Sequence, residues 1–228
     1  SLPLIGIGHV GLGGILHERL RFDEAETALQ QGLAIGQRWG SPEIQIGAYF
    51  SLARLRYTQG RLDDALMTLD KLESDFAPGM PIHERGHIQA IKARFWLAQG
   101  QTAKAEAWAR SFAPPGDEPA SYEDESQLLT LVRVFLAQRQ VSQARAILDS
   151  LEAAARAGQH NSLIEILLLK ALLPGAKEKP LVEALTLAEP QNQRRVFVDQ
   201  AELLPLLQTW HAQHPENDFA AGLLIDFE

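Results

Sequence analysis

A short phrase recurs about every 40 residues and constrains this chain more than any other feature in it. It reads Gly60-Arg61-Leu62-Asp63-Asp64-Ala65, then Gly100-Gln101-Thr102-Ala103-Lys104-Ala105. Looser copies are Leu20-Arg21-Phe22-Asp23-Glu24-Ala25 and Arg139-Gln140-Val141-Ser142-Gln143-Ala144, and Ala184 marks a weaker fifth. A fixed period of this size belongs to stacked supersecondary units that bury one strip of core from each repeat to the next. Each unit reads as a helix A, a tight turn and a helix B. Gly60 and Gly100 suit the left-handed residue that ends a helix. Asp63 and Asp64 suit the positive end of the following helix dipole. The recurrent alanine lets the two helices approach closely. Helix B then carries an apolar stripe at helical spacing, Leu62, Ala65, Leu66, Leu69 and Leu72 in one repeat and Val141, Ala144, Ile147, Leu148 and Leu151 in another.

The pattern predicts an all-α solenoid, a single repeat domain over 1–228, with about five hairpins at 2–39, 42–75, 81–112, 121–157 and 160–189 and capping helices within 200–224. Pro81 suits the first turn of a helix. Loops are predicted at 76–80 and 113–120, both rich in proline and glycine. The acidic run Glu123-Asp124-Glu125 reads as a solvated helix start, and Arg194-Arg195-Val196-Phe197-Val198 as an extended connector. The repeat frame makes Leu12 and Leu16 core positions facing Ala25 and Leu29, although residues 2–19 hold five glycines.

Composition narrows the function. The net charge of −8 and pI near 5.4 leave no basic surplus to attract phosphate, which argues against nucleic-acid binding. The absence of cysteine excludes disulfides and thiol catalysis and fits a reducing compartment. The most apolar run, Leu163 to Leu173, is interrupted by Glu165 and Lys170, which argues against a membrane span. The apolar start has no preceding Lys or Arg, so it does not read as a signal peptide and suggests a fragment of a longer protein.

Three motifs invite chemistry. Gly6-Ile7-Gly8-His9-Val10-Gly11 matches a phosphate-cradling G-x-G-x-x-G, but a dinucleotide fold needs strands on either side. Phe22 to Leu33 is instead an amphipathic helix in the repeat frame, so the glycines read as a small-residue helix packing face. His83-Glu84-Arg85-Gly86-His87 matches H-E-x-x-H, with Glu106 as a conceivable third zinc ligand. Gly86 inside the motif and the missing third histidine favour an exposed histidine pair over a metallopeptidase. The third motif is an arginine ladder. Arg54, Arg94 and Arg133 occupy one phase of helix A in three repeats, each five residues before Gln59, Gln99 or Gln138. Guanidinium forks suit carboxylate and phosphate, so the ladder could line a polar groove. It could equally pair with carboxylates such as Asp63, Asp64 or a glutamate of an adjacent helix. Phe50, Tyr57 and His87 join the three arginines as candidate ligand-binding residues. Trp96 and Phe135 read as core. No catalytic residue and no metal site are predicted.

The phrase around Ala65 resembles the tetratricopeptide signature at a longer period. Repeats of this length are similar to those of the MalT-like, LuxR-type ATP-dependent transcriptional activators. The segments that carry the likeness are Leu12 to Arg19 leading into Phe22-Asp23-Glu24-Ala25, Ala93 to Gly100 leading to Ala107-Trp108-Ala109, Thr130 to Ala137, and Leu187-Ala188-Glu189-Pro190 leading to Arg195 to Asp199 and Leu203-Leu204. The resemblance implies a right-handed superhelix and a cytoplasmic parent with an N-terminal nucleotide-binding switch and a C-terminal DNA-binding helix-turn-helix. The repeat region would sense a small-molecule effector or a partner protein and control self-association. ATP would bind only in the missing N-terminal domain, and this region would carry no cofactor and touch neither nucleic acid nor membrane. The alternative is a generic tetratricopeptide scaffold that binds peptides.

Overall fold

A computed structural model describes residues 2–76, 79, 82–112, 122–158, 162–176 and 178–227. Those residues form helices and turns, with no strand among them. The order is α1 (Leu2–Glu18), α2 (Phe22–Trp39), α3 (Pro42–Thr58), α4 (Leu62–Phe76), α5 (Ile82–Ala98), α6 (Thr102–Ser111), α7 (Tyr122–Ala137), α8 (Val141–Arg156), α9 (Leu163–Ala171), α10 (Lys179–Ala188), α11 (Arg195–Val198), α12 (Leu204–Gln213) and α13 (Asp218–Asp226). This is the all-α solenoid class of helical repeats, with α1, α3, α5, α7 and α9 as A helices. The loop predicted at 113–120, most of that at 76–80, and Pro81 lie outside the described residues.

The four repeat turns are built alike. Leu20, Gly60, Gly100 and Arg139 have φ of 57°, 72°, 72° and 59°. In each, the left-handed residue donates to the carbonyl three back, and the next residue donates to the carbonyl five back: Gly60 N to Tyr57 O at 2.9 Å and Arg61 N to Arg56 O at 2.8 Å, Arg139 N to Leu136 O at 3.0 Å and Gln140 N to Phe135 O at 2.8 Å. This doubly bonded cap closes the end of helix A. Leucine and arginine adopt it without the freedom of glycine, at a steric cost of about 1–2 kcal/mol each.

The chain divides into two compact units, Ser1–Ile88 and Gln89–Glu228. In the first, Leu16, Ala25, Ala28, Leu29, Leu52 and Leu55 form a core cluster with Val10, Phe22 and Leu33 packed on it. Gly13 and Gly32 permit the approach of α1 to α2: a Cβ on Gly13 would lie 2.5 Å from Leu29, and one on Gly32 2.7 Å from Val10. Glu26 of α2 binds Arg56 at 3.3 Å and Arg61 at 2.8 Å, tying the first repeat to the second. In the second unit, Ala90, Ala93, Ala105, Trp108, Leu131 and Val134 form one cluster. Ala144, Leu148, Leu151, Ile166 and Leu169 belong to another, and Leu168, Leu181, Phe197, Leu207 and Leu223 to a third. Trp96 and Phe135 are partly buried against the first of these.

The structure corrects four readings. Leu16 is buried as expected, but Leu12 is 48 % exposed, because nothing in the unit covers that side of α1. Residues 195–198 form the short helix α11 instead of a connector, and its Phe197 is buried among Leu181, Leu203 and Leu223. That burial outweighs the extended preference of the flanking valines. Glu125 is buried, so the acidic run is not a solvated helix start at that residue. Of the G-x-G-x-x-G run, only Gly6 meets a neighbouring helix; a Cβ on Gly8 or Gly11 would meet nothing within 4 Å.

Candidate functional site

The six residues predicted to bind ligand fall into two sets. In the first unit, Phe50, Arg54 and Tyr57 lie at positions i, i+4 and i+7 of α3 and so share one face. Arg54 is exposed, and Phe50 and Tyr57 are half-buried. His87 of α5 is half-buried, not exposed, and its ring packs on Phe50 with centroids 5.3 Å apart and planes inclined by 57°. The side chain of His83 lies outside the described residues. No group of three or more potential metal ligands occurs among the described residues.

In the second unit, Arg94 and Arg133 converge on one carboxylate. Arg94 (α5) donates from Nη1 to Glu165 Oε1 at 3.2 Å, and Arg133 (α7) from Nη2 to the same oxygen at 2.6 Å. Arg133 Nη1 also donates to the Leu129 carbonyl at 3.1 Å. Arg94 Nη2 reaches the Asp199 carbonyl at 3.4 Å and its carboxylate at 3.9 Å. Asp199 pairs in turn with Arg195, one turn earlier on α11. Five ionic side chains from α5, α7, α9 and the α11 turn thus form one network.

The network sets the charge state of its central acid. Burial alone would push the Glu165 carboxyl up. The guanidiniums of Arg133 and Arg94, with Arg195 farther off, outweigh burial and lower its pKa from 4.5 to about 2. Glu165 is therefore an anion at neutral pH, and fork-like donors facing carboxylates give short, directional bonds. The same hardware would hold a carboxylate, a phosphate or a hydroxyl of a bound molecule.

Glu165, Arg195 and Asp199 were not among the sequence candidates. Each left a trace. Glu165 is the only charge in Leu163 to Leu169, and a charge inside an apolar helix needs a partner. Arg195 and Asp199 have the i, i+4 spacing of a helical ion pair, which the connector reading concealed. A second ion cluster lies on the same α9: Lys170 binds Asp149 at 2.5 Å and also Glu152, which Arg156 engages at 2.7 Å. A shallow open depression nearby, lined by Glu152, Arg156, Lys179 and Glu183, is mixed in sign and holds none of the predicted residues.

Against known families, the model described as the MalT-like TPR region matches residues 1–213. The chain belongs to the MalT-like TPR family. Relatives named HTH-type transcriptional regulator MalT, from Yersinia pestis (strain Pestoides F) and Yersinia pseudotuberculosis serotype O:1b (strain IP 31758), are each 28% identical over 193 residues. The match takes in 81% of this chain and 21% of either relative, so the MalT-like stretch spans about a fifth of their length. Membership of this TPR family accounts for the helical repeats. No helix among the described residues is long and apolar enough to cross a membrane.

Proposed function

We propose that this MalT-like TPR region is the effector-sensing and regulatory domain of a LuxR/MalT-type transcriptional activator. It binds a small-molecule inducer or a partner protein and controls self-association of its parent. The observation that carries this reading is the sharing of Glu165 by Arg94 and Arg133, on A helices of successive repeats. A polar ligand that offers its own carboxylate, phosphate or hydroxyls to those forks replaces Glu165 as their partner. It thereby changes the restraint on α9 and α11. A ligand shifts such an equilibrium only through its differential affinity for the two arrangements, and a network shared by four helical segments supplies that difference.

In this proposal the domain acts in the cytoplasm, performs no reaction and holds no cofactor of its own. ATP and DNA are handled by other domains of the parent. The test is a thermal-shift screen of the chain against sugars, sugar phosphates, dicarboxylates and nucleotides, with each hit repeated on Arg94→Lys and Arg133→Lys. The proposal predicts a hit whose stabilisation is lost in both variants, because lysine keeps the charge but not the fork. Hits that stabilise the variants and the parent chain equally would refute the assignment of the site.

A further inference from the structure

The first helix presents an apolar face that the first unit does not use. Leu4, Ile5, Ile7, Leu12 and Ile15 of α1 make up half of the large apolar side chains left exposed among the described residues. Gly8 and Gly11 lie between them on the same face, and a Cβ on either would meet nothing within 4 Å. No charged side chain occurs from Leu2 to His17. The end of a repeat array that faces water carries a polar outer surface, and this face does not.

The repeat frame shows what such a face is for. A shift of 40 residues, the spacing of Ala25 and Ala65, places Leu4, Gly8, Leu12 and Ile15 of α1 on Ile44, Ala48, Leu52 and Leu55 of α3. The α3 residues are all buried, none more than 4 % exposed, whereas Leu4, Leu12 and Ile15 are 65 %, 48 % and 56 % exposed. What covers the α3 set includes α2, the B helix of the preceding hairpin. Leu52 and Leu55 cluster with Ala25, Ala28 and Leu29, and a Cβ on Gly36 of α2 would lie 3.1 Å from Ile44. Ala25, Ala28, Leu29 and Gly36 of α2 supply this contact, whereas the buried Gly32 between them faces Val10 of α1.

We infer that the outward face of α1 seats a helix of the α2 kind, the B helix of a further hairpin on the N-terminal side of α1 in the same polypeptide. Its contact face is an alanine, glycine and leucine stripe, matched to large apolar side chains at positions 4, 12 and 15 and to the open strip of Gly8 and Gly11. The relatives extend beyond the matched stretch, which is 21% of each. The inference stands on the register of α1 and α3 and does not depend on the effector site.

The test compares the 228-residue chain, which has no cysteine, with the gene product at its natural length. Leu12→Cys and Ile15→Cys probe the face, and Met67→Cys, at an exposed position of α4, is the internal reference. Brief maleimide labelling is read peptide by peptide in a mass spectrometer at two protein concentrations. In the 228-residue chain the thiols at 12 and 15 react at rates comparable with that at 67. In the natural-length protein they react at least tenfold more slowly than the thiol at 67, at both concentrations. Equal rates at all three positions in the natural-length protein would overturn the inference. So would protection at 12 and 15 that fades on dilution, which would assign the face to a second copy of the chain.

Discussion

Replacing Glu165 with glutamine keeps the shape of the side chain and removes the charge that Arg94 and Arg133 share. Its cost follows from linkage. A carboxyl held at a pKa of about 2 in the folded chain, against 4.5 without the fold, contributes roughly 3 kcal/mol at neutral pH. Loss of one member of a buried ion pair costs about 3–5 kcal/mol. The Glu165 side chain is 21 % exposed, which favours the lower end. Glu165→Gln should therefore lower Tm by about 6–12 °C at pH 7. The sign with pH is fixed: because the folded pKa is depressed, the contribution is complete above about 4.5 and is lost as pH falls toward about 2. Scanning calorimetry of both proteins from pH 7 to pH 2.5 measures the gap in Tm, which should be constant down to about pH 5 and then close. A gap below 2 °C at pH 7, or one that persists undiminished to the acid end, would refute the account of this network.

Three further outcomes follow from the backbone and the helix contacts, each read by urea unfolding of the 228-residue chain. Arg139→Gly should gain about 0.5–1 kcal/mol, since it relieves the left-handed strain at φ 59° and gives back part of that in chain entropy, whereas Gly100→Ala should lose about 1 kcal/mol. Gly32→Ala should cost about 1–3 kcal/mol because its Cβ would press on Val10 and the backbone around Gly6, while Gly8→Ala, with open space around it, should gain up to about 1 kcal/mol. Asn217→Ala should cost about 1 kcal/mol by removing the side-chain oxygen that accepts from Ala220 N at 2.7 Å at the start of α13.

The repeat skeleton was legible because its causes are local. A left-handed turn residue, two residues of connection and a small residue at the close approach recur in the sequence itself. The alanine frame placed Leu20 and Arg139 in the turn even without glycine. The first two hairpins, α1 to α2 and α3 to α4, lie within one residue of their predicted limits of 2–39 and 42–75 for the same reason. Leu12 was misread because helical phase tells which residues share a face, but not whether a neighbour lies against it. The α11 segment was misread because its valines favour extended backbone locally, while the burial of Phe197 among distant leucines decides the outcome. The ion network was the least legible part. Arg94 pairs with a glutamate 71 residues away and reaches a carbonyl 105 residues away, and no periodicity within one repeat encodes such a pairing. The single charge of Glu165 within the apolar run Leu163 to Leu169 announced that a partner exists without naming it.

The measurement that bears most directly on a sensing role is native mass spectrometry of the chain after incubation with the low-molecular-mass fraction of a cell extract. The extract offers many candidate effectors at once, and the mass of an adduct reports which one binds. The account predicts one discrete adduct on the unmodified chain, absent from Arg94→Lys and Arg133→Lys under conditions where circular dichroism shows both variants folded. An adduct that survives in both variants, or none on the unmodified chain across extracts from several growth conditions, would contradict it.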